Sequence, residues 1–253
     1  GGLALGIASL GWAWENLMPA HGLFQLAGAG VAAILLLLLL AKFMHHPRLL
    51  WVDLQNPVAG SVMPTMAMAL MVIAKAVSLF SLPVAEAVWL FAIALHLVFL
   101  AIFSYHRFRA FRLHHMVPSW FVPPVGIIVA AVTFPGGPWL WLAQLICWFG
   151  IICYLVMLPV MLYRLVFSAE VPDAAKPTIA ILAAPASLSL AGYLTVFATP
   201  SPLMVGLLAG IAVLMTDRAH AQKITPKYLL EAADKALYQV KESGRNNTRI
   251  LTI

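Results

Sequence analysis

Few side chains in this sequence can hold a ligand or move a proton, and their spacing limits what each can do. Cys147 and Cys153, the two cysteines, lie six positions apart in one apolar run. They fall on different sides of a helix and make neither a disulfide framework nor a metal set. The pairs His45-His46 and His114-His115 could bind a metal or sense pH, but neighbours on a helix diverge by about 100°, which suits an interfacial role better. Glu15 could carry a proton for symport and Lys75 could draw anions into an outer vestibule. Both sit near the end of an apolar run, where a solvated carboxylate and a snorkelling ammonium, with Glu86 as its partner, are the simpler expectations. Arg107, Arg109 and Arg112 could gather anions at a cytoplasmic mouth, although fixing topology beside anionic lipid is the better-founded role. Gly28-Ala29-Gly30 has no strand before it and reads as packing rather than a phosphate loop. No catalytic group, metal or cofactor is expected.

The elements that must position these residues are membrane spans. Of 253 residues 63% are hydrophobic and 9% charged, with a mean hydropathy of +0.95, which excludes a soluble globular domain. Apolar runs near 1–18, 22–44, 59–80, 84–104, 118–134, 138–163 and 177–198, with a shorter one at 202–215, give an all-α polytopic membrane protein of seven to eight spans. The connections at Pro19-Ala20-His21, Ser81-Leu82-Pro83, Pro135-Gly136-Gly137 and Thr199-Pro200-Ser201 carry no Lys or Arg. The alternate ones hold Lys42 and Arg48, then Arg107, Arg109 and Arg112, then Arg164 and Lys176. By the positive-inside rule the basic side is cytoplasmic, in a bacterium the inner face of the inner membrane. The net charge of +6 thus reports topology and lipid contact, and no nucleic-acid partner is expected. The first run opens at Gly1 without a Met or a charged leader and reads as a clipped first span.

The hairpins repeat. Pro57, Pro118 and Pro177 each precede an inward-starting span, about 60 residues apart, the mark of stacked equivalent units. Each such span carries further prolines, Pro64, then Pro123 and Pro124, then Pro185. A proline inside a span frees a carbonyl and bends the helix, which hydrocarbon tolerates only where a neighbour or water satisfies it. The odd spans are therefore expected inside, with the even spans unbroken outside them, Leu35 to Leu40 and Trp89, Leu90, Phe91, Leu97, Trp139, Trp141 and Trp148 facing lipid and its interfaces. Stripes of small or hydroxylic residues agree: Ser61, Thr65 and Ala69; Gly126, Ala130 and Thr133; Ala180, Ala184, Ser187 and Ala191. Close packing, as at Gly2-x-x-x-Gly6 and Gly206-x-x-x-Gly210, would explain any one stripe. Three in register favour a central pore, lined by Ser61, Pro64, Thr65, Ala69, Pro123, Pro124, Gly126, Ala130, Pro185 and Ser187, where hydroxyls and freed carbonyls would offer weak contacts.

The stretches Asn56-Pro57-Val58-Ala59-Gly60-Ser61-Val62-Met63-Pro64-Thr65-Met66, Pro118-Ser119-Trp120-Phe121-Val122-Pro123-Pro124-Val125-Gly126 and Ala183-Ala184-Pro185-Ala186-Ser187 resemble the tellurite-resistance and C4-dicarboxylate transporter family of anion channels, which includes plant slow anion channels and yeast malate permeases. The resemblance covers roughly 1–215. It implies ten helices in five hairpins, odd helices around a narrow anion pore, and often a homotrimer. This chain supplies at most four hairpins, so the family's ninth helix, which carries the occluding phenylalanine, has no counterpart. A ring short of a fifth of its wall would expose bent inner helices to lipid.

From Asp217 the composition turns polar. Thr225 and Pro226 can open a helix with Leu230, Ala233, Leu237 and Val240 on one face, Gly244 can close it, and a strand over 248–253 can follow. The run 233–246 resembles the end of a GGDEF-type diguanylate cyclase domain, in which residues matching Lys241 and Arg245 help hold nucleotide phosphates. The loop that names that family is missing, so cyclase activity is not expected, and the piece is too small to fold alone. The sequence thus divides into a transmembrane domain over 1–216 and a cytoplasmic remnant over 217–253, whose join reads as an assembly artefact or recombined gene. The function expected is transmembrane passage of small anions. The rival is a membrane-anchored cyclic-dinucleotide signalling protein with an incomplete cyclase domain.

Overall fold

The computed structural model describes residues 1–167 and 173–221, helical with no strand among them. The helix, strand and phosphate contacts read into the tail, Lys241 and Arg245 included, lie outside the described residues. Eleven α-helices are labelled in order: α1 (Gly2–Leu17), α2 (Leu23–His45), α3 (Pro47–Gln55), α4 (Ala59–Val62), α5 (Thr65–Val77), α6 (Leu82–Arg109), α7 (Val122–Val125), α8 (Val129–Val132), α9 (Leu140–Phe167), α10 (Ala184–Val196) and α11 (Pro202–Ala221). At 1.5 Å per residue, the 23 residues of α2 reach about 35 Å, enough to cross a hydrocarbon core of about 30 Å. Five segments are long and apolar enough to span: Leu23–His45, Ala59–Val77, Leu82–Arg109, Leu140–Phe167 and Thr178–Val196, with shorter apolar helices at Pro118–Val132 and Pro202–Thr216. All eight apolar runs are thus helical; the first and fifth helices, Gly2–Leu17 and Pro118–Val132, are slightly shorter than the runs read from the sequence, and the eighth is longer. α11 continues past Thr216 to Ala221.

The odd spans are broken where the prolines stand. In the third span α4 stops before Pro64, which has no N–H to give the Gly60 carbonyl, and α5 restarts at Thr65. The fifth alternates turn by turn, a 3₁₀ turn at Pro118–Phe121, then α7, a second 3₁₀ turn at Gly126–Ile128, then α8. In the seventh, a 3₁₀ stretch over Asp173–Ala183 gives way to α10, with Pro185 in its first turn. The even spans α2, α6 and α9 are long single helices. Pro159 corrects the expectation that these lack internal proline, since it lies within α9, which runs on through it.

Neighbours follow from this division. α1 packs on α5, α5 on α8 and the Gly126–Ile128 turn, and these on α10, so the first, third, fifth and seventh spans form a continuous arc. The even spans lie against it: α2 on α1 and α5, α6 on α5 and α7, α9 on the fifth span and α10, and α11 on α10. Within its apolar window the third span is 67% buried, against 28% for α2 and 33% for α6 and α9, which makes it an inner element. The seventh keeps one face open, with Ala180, Ala184 and Ser187 exposed.

Close approach uses glycines other than those the spacing suggested. Gly2, Gly6, Gly206 and Gly210 have no neighbour within 4 Å of where a Cβ would stand, so neither G-x-x-x-G pair is a helix contact among the described residues. The tight crossing is between α1 and α2. A Cβ on Gly28 would stand 2.9 Å from the Ile7 carbonyl oxygen and 3.0 Å from Gly11 Cα. Further along the arc, Ile128 of the fifth span seats between Gly150 of α9 and Gly192 of α10. The connection carrying Arg48, read as a loop, is the helix α3, with Pro47 at its start. Because backbone atoms at Gly28 cannot yield, Gly28→Ala should lower stability by about 1–3 kcal/mol. Gly30→Ala, in open space, should be neutral or stabilising by up to about 1 kcal/mol. Thermal unfolding of the two variants in one detergent checks the contrast.

Candidate permeation path

The third and fifth spans, which carry the first two prolyl motifs, meet at their starts. Asn56 opens the third span by accepting the N–H groups of Val58 (2.9 Å) and Ala59 (3.0 Å) on Oδ1. Trp120 Nε1 reaches across to the Pro57 carbonyl at 3.1 Å. The hydroxyls of Ser61 and Ser119 lie 2.7 Å apart, both fully buried. Ser61 also donates to the Val58 carbonyl at 2.7 Å, so its single proton is spent there and Ser119 supplies the proton between the two. Arg107 closes the group, donating to the Gln55 carbonyl at 2.7 Å with its guanidinium 6.0 Å from the ring centres of Phe103 and Trp120. Arg107 is therefore a clasp on the end of α3. Arg109, 4.7 Å over Tyr105, and Arg112 are exposed.

Deeper in the bundle, polar side chains donate to carbonyls at the helix ends and breaks. Trp89 of α6 donates through Nε1 to the Ala130 carbonyl at 2.9 Å. His96, also of α6, lies with Nε2 2.8 Å from the Pro123 carbonyl. Gln144 of α9 donates to Val196, the last residue of α10, at 2.9 Å, and Lys75 of α5 donates to Phe134, just past α8, at 3.0 Å. Three of these donors come from outer helices. Four carbonyls, those of Pro123, Ala130, Phe134 and Val196, are thus taken by side-chain donors, which suits an anion, since an exposed carbonyl oxygen would repel it.

Several expectations change here. Trp89, expected at lipid, is fully buried because its indole N–H serves the fifth span. Lys75 meets Phe134 in place of Glu86. The Glu15 carboxylate, only partly buried, is occupied by the backbone: it accepts from the N–H groups of Ala20 (2.6 Å), Gly22 (2.8 Å) and Phe24 (3.0 Å), closing the turn into α2. Arg164, read as part of a basic loop, is in the last turn of α9 and 1% exposed. Cys147 and Cys153 are free, the first buried and the second half-buried. His96 was not singled out from the sequence at all, although a lone imidazole near the middle of an apolar span is signal enough.

The family model described as voltage-dependent anion channel matches residues 2–223. The chain belongs to the voltage-dependent anion channel family. It is also similar to two uncharacterized transporters of Methanocaldococcus jannaschii, 29% identical over 160 residues (58% of this chain, 47% of the relative) and 29% identical over 141 residues (50% and 41%). The chain spans about half the length of these curated relatives or less. The activity of the voltage-dependent anion channel family is passage of anions through a membrane, and the apolar helices make this chain an integral membrane protein.

Within this anion channel fold, the candidate lining residues divide by exposure. Ser61, Pro64, Thr65, Ala69, Pro123, Gly126, Ala130 and Pro185 are buried, Pro124 is half-buried and Ser187 is exposed. The hydroxyls of Thr65 and Ser187 are turned back on their own helices, to Val62 at 2.6 Å and Ala183 at 3.2 Å, so contact with an anion requires each O–H to swing outward. At Gly126 a Cβ would stand 2.9 Å from Met68 Sδ and 3.7 Å from His96 Cε1, directed at α5 and α6. The small size of Gly126 therefore brings these helices together. Because the Met68 thioether can bend away, Gly126→Ala should cost only about 1 kcal/mol. Most of this loss should be recovered in the double variant Gly126→Ala, Met68→Ala relative to Met68→Ala alone, a coupling measured by a double-mutant cycle in reversible micellar unfolding.

Proposed function

We propose that the protein carries small anions across the membrane along the concave side of the arc of odd spans, past Ser61, Pro64, Thr65, Ala69, Pro123, Pro124, Ala130, Pro185 and Ser187, with Gly126 holding the wall from behind. The observation that carries this reading is the orientation of the backbone: the carbonyls at the breaks in the fifth span accept donors from α6, which leaves small side chains and hydroxyl donors for an anion. Weak contacts of this kind suit conduction, since a deep fixed cation would trap the ion. The permeant class is small monovalent anions, C4-dicarboxylates such as malate, or tellurite. The membrane is the bacterial inner membrane with the basic connections cytoplasmic, and the assembly is a homotrimer among lipid.

Two measurements test the proposal. The purified chain in liposomes should raise chloride or malate uptake well above protein-free vesicles, and uptake equal to that of empty vesicles with the protein demonstrably inserted overturns the reading. For topology, Arg112→Cys in a background without Cys147 and Cys153 should react with an impermeant thiol reagent only from the cytoplasmic side. Labelling from the opposite side reverses the orientation.

A further inference from the structure

We propose that His96 is a positioning residue for the permeation path, one of two rungs by which α6 holds the broken fifth span at a fixed extension; this rests on the anion-transport reading above. The two donors Trp89 and His96 are seven residues apart on α6. Their acceptors, Ala130 and Pro123, are seven residues apart on the fifth span and taken in reverse order, 2.9 Å and 2.8 Å away. Seven residues are close to two helical turns, so both donors lie on one face of α6, against an antiparallel partner. The rungs bracket the segment 123–130, which contains the 3₁₀ turn Gly126–Ile128. A 3₁₀ residue rises about 2.0 Å against about 1.5 Å in an α-helix. The segment can therefore change length by recoiling, and two fixed rungs prevent that.

His96 is the more informative rung. It lies near the middle of α6, fully buried, where an imidazole is tolerated only with a bonding partner. As the donor to a carbonyl, Nε2 carries the proton, and Nδ1 is buried with no hydrogen-bond partner among the described residues. The ring gives the fold one bond, to Pro123, and that bond faces the segment from which Gly126 packs on Met68 and on His96 itself. A leucine would fill the space better without making the bond, so packing alone does not account for a histidine here.

The test compares the wild-type chain with His96→Leu and His96→Gln in liposomes, reading chloride and malate uptake for each and confirming insertion by helical circular dichroism and size exclusion. Loss of the rung in His96→Leu should cut uptake about tenfold and change the chloride-to-malate ratio, whereas the glutamine amide, which can reach the same carbonyl, should restore uptake to within about threefold. Wild-type rate and ratio in His96→Leu, or a defect in His96→Gln as deep as in His96→Leu, overturns the proposal while leaving the transport reading intact. A wild-type chain that inserts but passes neither anion removes the transport reading and this inference with it. Should His96→Leu fail to fold, solid-state NMR of the wild-type chain in bilayers decides: a protonated Nε2 in dipolar contact with the Pro123 carbonyl carbon supports the rung, and a missing contact overturns it.

Discussion

A backbone carbonyl in hydrocarbon needs a donor, and in this bundle that requirement decides where several inward-facing polar side chains go. An unbroken helix meets it internally. The third, fifth and seventh spans cannot, because Pro64, Pro123, Pro124 and Pro185 remove amide hydrogens and the 3₁₀ turns reset the ladder. Each unmet group would cost several kcal/mol in lipid, more than a small membrane domain can bear several times over. Side-chain donors planted in otherwise apolar helices serve further carbonyls, at helix ends and within the fifth span. Trp89, His96 and Gln144 point inward from α6 and α9, Lys75 crosses from the third span to the end of the fifth, and Arg107 and Trp120 close the basic end. The same rule explains Glu15, an acceptor placed where a tight turn leaves three amides open.

This constraint also orders the layers. A donor must stand behind the carbonyl that it serves, so the broken spans need a continuous helix on their far side. That is why α6 and α9 run as single helices of 28 residues each while the fifth span between them changes coil three times. The glycines follow from it as well. For Trp89 and His96 to reach their carbonyls, α6 has to come close to the fifth span, and Gly126 allows this by presenting no Cβ to His96 and Met68.

The part of this legible in the sequence was the part written along a single segment. Apolar runs gave the helices, and the repeated prolines at Pro57 and Pro64, at Pro118 and Pro123, and at Pro185 marked which spans break. The family match over 2–223 agrees with those motifs. What could not be read was the partner of each polar group, because that depends on register between helices distant in sequence. Trp89 looks like an interfacial aromatic until Ala130 is found beside it. Gly2 and Gly6 have the spacing of a helix contact, yet a Cβ there would meet nothing within 4 Å among the described residues, whereas Gly11 and Gly28, with no such spacing, make a close contact. The lone imidazole of His96 in an apolar span is a signal in itself, but it names no partner. Its meaning appears only with the Trp89 pair, seven residues away on the same helix.

The arrangement favours anions over cations for a reason that precedes any particular lining residue. Proline-broken helices would ordinarily present carbonyl oxygens to a pore, the device that suits cations. Here the Pro123 and Ala130 carbonyls of the fifth span are bonded to N–H donors of α6, and the path proposed above is left with the hydroxyls of Thr65 and Ser187 and the methyl groups of alanine. Those hydroxyls bond to their own helices at rest, and a rotation about one side-chain bond turns them into donors. An anion that recruits them gains only the difference between two hydrogen bonds, which is small. Binding is then weak at every step, and weak binding lets an ion leave as readily as it enters.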